Sequence, residues 1–145
     1  MTSHQRKFLI FRLQSLLFAL DLSQVAEVAD PPQLWPIPLA PACYSGALNF
    51  HGDIVAAMDL TLFLGLTGSN RPGKIIILGK DVASLAFLID AVVRIVSEED
   101  VFISIDPLPE TVFAAATLGL PEGKATLLDL DSLVHKAEIG MQKIG

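Results

Sequence analysis

The chain has 145 residues, 52% of them hydrophobic, and a formal net charge of −6. That is the size of one compact domain, and its scattered basic residues, with Arg6-Lys7 as the longest run, argue against a nucleic-acid partner. The most apolar stretches are broken by Arg12, Asp21 or Asp90, well short of the roughly 18 unbroken apolar residues of a spanning helix, so direct membrane insertion is not expected.

The start, MTSHQRKF, lacks the apolar core and small-residue cleavage site of a secretory signal, and lone Cys43 cannot close an internal disulfide; a cytoplasmic location is therefore expected. KFLIFRL and LLFALDL follow as two strands of a hairpin, although Gln14-Ser15 is a poor two-residue turn. Then comes DPPQLWPIPLAP, whose five prolines exclude a helix or a central strand. Leu34, Trp35 and Ile37 argue that this loop packs on its own protein rather than serving as a proline-rich ligand. Next, GALNFHGDIVAAMDL reads as strand, turn and strand, with a short helical turn at LTLFLG. TGSNRPGK, near 67–74, is the clearest linker. KIIILG and VASLAFLID predict a second hairpin around Gly79-Lys80-Asp81, and VVRIVS a further strand. The acidic Glu98-Glu99-Asp100 is read as a solvated turn. Leu130, Leu133, Val134 and Ala137 fall on one face of a C-terminal helix, with Asp129 or Asp131 as its N-cap.

The halves echo one another. Val25 and Val28 match Val93 and Val96 at an offset of 68 residues, and Met58-Asp59-Leu60 matches Leu128-Asp129-Leu130 at an offset of 70. Runs apolar on both faces imply strands buried on both sides, as in small barrels. A half of this size buries little core alone, so the halves should pack on each other and leave a groove at their junction. The expectation is a single all-β domain over residues 1–145, built from two barrel-like halves with a short C-terminal helix.

Chemical motifs are sparse. His4, His51 and His135 lie far apart, and no His-x-x-x-His, Cys-x-x-Cys, nucleophile elbow or phosphate-binding loop occurs. No catalytic residue, metal site or cofactor is expected. Asp59 and Asp129 precede helical turns, where N-capping explains them better than paired-acid chemistry.

At QVAEV … YSGALNFHGDIVAAMDLTLFLGL the chain resembles the CheW-like family of bacterial chemotaxis coupling proteins. Val25, Glu27 and Val28 fit the family's V-x-E-[VI]. Gly46, Asn49 and Gly52 fit G-x-x-N-x-R-G, with His51 where arginine is usual, and Asp59-Leu60 fits D-L before a short helix. Asp90, Val92, Val93 and Val96 look like the second-half pattern. The resemblance implies two small, intertwined five-stranded β-barrels and a non-catalytic adaptor. The adaptor's partners are the cytoplasmic tip of chemoreceptors and the regulatory domain of the histidine kinase CheA, and it is recruited to membrane receptor arrays. A CheW-like scaffold of a pathway controlling pili, gliding or a second messenger is the alternative. Receptor binding would map to the groove between barrels and kinase binding to a strand-and-turn surface. Val25, Glu27, Gly46, Asn49, Phe50, His51, Gly52 and Val93 are the binding candidates. In the family the arginine can pair with the glutamate of V-x-E, here Glu27; His51, shorter and without the planar fork, can do so only when protonated.

Overall fold

The computed structural model describes residues 5–66, 72–105 and 113–142; His4 and most of the expected linker, residues 67–71, lie outside them. The first half contains β1 (Lys7–Leu13), β2 (Leu16–Asp21), β3 (Val25–Ala29), β4 (Tyr44–Phe50), β5 (Asp53–Asp59) and α1 (Leu60–Phe63). The second half repeats that order with β6 (Lys74–Leu78), β7 (Leu85–Ile89), β8 (Ala91–Ser97), β9 (Phe102–Ser104), β10 (Ala114–Leu120), β11 (Gly123–Leu128) and α2 (Leu130–Gln142).

The strands form two sheets, ordered β3-β6-β7-β5-β4 and β8-β1-β2-β11-β10-β9. Each hairpin thus crosses to the other half. β1 and β2 pair with β8 and β11, whereas β6 and β7 pair with β3 and β5. The expected all-β fold of two intertwined units is what forms. The first barrel has five strands; the second counts a sixth, the three-residue β9.

Strand alternation explains the burial on both faces. In β1, Phe8 and Ile10 point into the core of the second barrel, and Leu9, Phe11 and Leu13 point into a core shared by both. In β6, Ile75 and Ile77 enter the first barrel's core while Ile76 and Leu78 join the shared one. Each sheet curls on itself, since side chains from strands at both ends of its order meet in its own core. Helix α2 closes the shared core with Leu130, Leu133, Val134 and Ala137, all buried as their spacing predicts. The Asp129 carboxylate caps it by accepting from the Ser132 amide at 3.3 Å, and Asp59 does the same for Leu62 at 3.2 Å.

The internal repeat extends to irregularities of pairing. Ser45 and Ala115 are the extra residues of bulges 70 residues apart. Ala26 and Val93 are extra residues 67 apart. The counterpart of Val25 is therefore Val92, one residue from the match at 68; VAEV and VVRIV are both valine-rich and slide against each other without penalty. β9, which the sequence pattern did not suggest, also has a counterpart. It is a single antiparallel bridge between Trp35 and Ala47. Proline at 31, 32, 36 and 38 lacks the amide that a longer ladder needs.

Candidate functional site

The stretch Asn49-Phe50-His51-Gly52-Asp53 forms the β4–β5 hairpin turn, closed by the Phe50–Asp53 pair. His51 and Gly52 both have positive φ, 51° and 91°, the condition of the tight turn whose twist matches a hairpin. The Asn49 side-chain oxygen Oδ1 accepts from the Gly52 backbone amide at 2.8 Å and holds the turn. Glycine adopts this backbone freely, and histidine is among the side chains more often found there. The exposed imidazole lies against the Phe50 ring, with centroids 4.3 Å apart and planes at 59°. Phe50 is half-buried and packs on the first barrel's core.

His51 and Glu27 do not pair. The ion pairs described join Arg6 to Asp21 and Glu98, Lys74 to Asp30, and Arg94 to Glu122; neither His51 nor Glu27 takes part. An imidazole is shorter than the arginine fork, and here it turns onto Phe50. Glu27 stands exposed on β3, directly after the bulge at Ala26.

The remaining candidates divide by role. Gly46 is buried because the proline loop passes over it: a β-carbon there would stand 2.7 Å from the Trp35 carbonyl oxygen. Val25 is half-buried against the shared core. Val93 belongs to the other sheet and packs on the second barrel's core. So Val25, Glu27, Gly46, Asn49, Phe50, His51 and Gly52 share one sheet, and Val93 does not join them.

Two concavities adjoin this sheet. A groove of about 390 Å³ runs between the first barrel and α2, lined by Tyr44, Ala56, Leu85, Val134, Ala137 and Glu138. A pocket of about 310 Å³ lies at the inner side of the turn, walled by Ala26, Phe50, Val55 and Leu78 and rimmed by His51, Asp53 and Lys80. Both are also lined by Ala83 and Ser84, in the β6–β7 connection. Gly79-Lys80-Asp81 lies in this connection, and nothing in that tripeptide itself says which surface it borders.

The groove's phenol is held as a structural element. Tyr44 donates to the Ala137 carbonyl at 3.2 Å, tying β4 to α2. Burial, with Cys43 and Glu138 nearby, pushes its phenol up to about 12. Burial also pushes the Cys43 thiol up, which keeps it protonated and weakly nucleophilic. Among the described residues no group of three or more His, Cys, Asp or Glu is placed to hold a metal ion, and no helix is long and apolar enough to cross a membrane.

Comparison with known proteins agrees with this architecture. The chemotaxis protein CheW of Rhizobium meliloti (strain 1021) is 27% identical over 146 residues, covering 95% of this chain and 93% of that protein. The chemotaxis protein CheW of Treponema pallidum (strain Nichols) is 30% identical over 105 residues, covering 67% and 62%. The crystal structure of scaffolding protein TtCheW from Thermoanaerobacter tengcongensis superimposes with a TM-score of 0.74 at 23% identity, over 89% of this chain and 92% of that one, and so shares the fold. The CheW-like domain profile matches residues 7–138, and with the exchanged hairpins and the turn now in view, the chain belongs to the CheW-like domain family.

Proposed function

We propose that this chain is a non-catalytic adaptor of chemotaxis signalling that couples the cytoplasmic tips of chemoreceptors to the regulatory domain of the histidine kinase CheA. The observation that carries the reading is the groove between the first barrel and α2. Its walls are mostly apolar and its one carboxylate belongs to Glu138; a helical hairpin lays an apolar face into such a surface. The outer face of the β4–β5 turn offers the second contact, with His51, Gly52 and Asp53 exposed and Ile54 76% exposed beside them. An aliphatic anchor within a small polar turn suits a transient contact between proteins. The adaptor works in the cytoplasm and reaches the membrane only through its receptors.

The test is titration calorimetry of the purified chain against a soluble receptor-tip hairpin and against a CheA regulatory domain from the same organism, without nucleotide or metal. Binding to both is expected. Absence of heat with both, and no complex on gel filtration, would end the adaptor reading.

A further inference from the structure

The pocket at the inner side of the turn is separate from the groove but shares Ala83 and Ser84 with it. The two concavities therefore adjoin at the β6–β7 connection. At about 310 Å³ it is at the small end of ligand-sized cavities, with room for one large side chain. Its walls give that side chain a character. The tilted Phe50–His51 pair presents ring face and ring edge together, the two surfaces that a third aromatic ring engages. Val55 and Leu78 supply the apolar base. The rim adds charge: Lys80 is exposed and takes part in none of the ion pairs described, while Asp53 on the same rim carries the opposite sign.

We propose that this pocket receives one aromatic side chain from the helical partner in the groove, and that a carboxylate beside that ring on the partner meets Lys80. The inference rests on the adaptor reading and adds the chemistry by which the partner is recognised. Such an anchor would concentrate the binding energy of the interface in one buried ring, and the lysine would select its orientation.

The experiment measures the affinity of a receptor-tip hairpin and of a CheA regulatory domain for the wild type, Ala26→Trp and Lys80→Glu. Ala26 is exposed at a bulge and lines the pocket but not the groove, so the indole fills the cavity without entering the barrel core. Ala26→Trp is expected to weaken the tip about tenfold or more. Lys80→Glu is expected to weaken it several-fold and to flatten its salt dependence. An unchanged tip affinity in Ala26→Trp overturns the aromatic anchor while leaving the adaptor reading intact, and so does a loss confined to the kinase domain. An unchanged affinity in Lys80→Glu overturns the carboxylate contact. A wild type that binds neither partner overturns both the anchor and the adaptor reading. If Ala26→Trp melts early, Lys80→Glu, on an exposed turn, still decides the charge contact, and phenylacetate titrated into the wild type decides the ring: amide shifts at Phe50–Asp53 and Ala83–Ser84 are expected, and none at saturating probe would refute it.

Discussion

Gly46→Ala should destabilise the chain far more than Gly52→Ala, although both glycines sit at positive φ. At Gly46, with φ of 150°, an L side chain strains the backbone by about 1–3 kcal/mol. The added β-carbon would also stand 2.7 Å from the Trp35 carbonyl oxygen and 2.9 Å from the Leu34 β-carbon. The proline loop must then retreat. It loses the hydrogen bonds from Trp35 N–H to the Ala47 carbonyl and from Ala47 N–H to the Trp35 carbonyl, 2.9 and 2.7 Å long, worth about 0.5–1.5 kcal/mol each. Together these come to about 2–6 kcal/mol. At Gly52, with φ of 91°, a β-carbon meets nothing within 4 Å, so the strain of about 1–3 kcal/mol stands alone. Urea unfolding followed by far-ultraviolet circular dichroism reads both effects. Gly46→Ala should lower the midpoint more than Gly52→Ala. Equal losses would show that the close approach of the loop has no energetic weight.

Tyr44 is the one tyrosine, so absorbance near the phenolate band titrates it alone; the native midpoint should lie near 12 and fall to about 10 in denaturant. Because the folded value is the higher, the linked stability is complete below the unfolded value and is lost as pH rises through the folded one, and coincident native and denatured curves would contradict the burial of the ring. Asp129→Ala removes the cap of α2 and should cost about 1 kcal/mol by denaturant midpoint; an unchanged midpoint would mean that the 3.3 Å bond contributes nothing. The Glu122 carboxylate is held down to about 2, first by the hydrogen bonds from Arg94 and then by its own backbone amide. Its contribution to stability should be present above the ordinary carboxylate range and disappear as pH falls toward that value, and Glu122→Gln should flatten this acid limb of the stability profile. Identical acid limbs in the two proteins would refute the clasp. Phe50→Asp should lower the melting midpoint as well as weaken partner binding, since the ring packs on the first barrel's core; a variant that melts like wild type would place the ring outside that core.

Much of the fold was legible in the sequence because it is written in short-range patterns. Strand runs such as KFLIFRL and KIIIL are apolar at odd and even positions alike, which forces burial on both faces. The spacing Leu130, Leu133, Val134, Ala137 behind Asp129 specifies a capped amphipathic helix without reference to anything distant. Asn49 and Gly52 similarly specify their own turn. What the residues alone left open depended on partners far along the chain. The two hairpins carry equivalent patterns, so local periodicity is satisfied whether each stays with its own half or crosses to the other. The crossing is decided by the parallel pairings β2–β11 and β5–β7 and by the shared core they enclose. Gln14-Ser15 looked like a poor turn, yet it closes with Gln14 at a φ of 57°, and the Asp90 carboxylate, 76 residues away, accepts from the Gln14 amide at 2.6 Å. The direction of His51 followed the same rule. Its place in the turn was readable from its neighbours, but whether the imidazole met Glu27 or Phe50 depended on how two strands from opposite ends of a sheet came to lie around one core, and side-chain reach over that distance is set by tertiary packing rather than by sequence spacing.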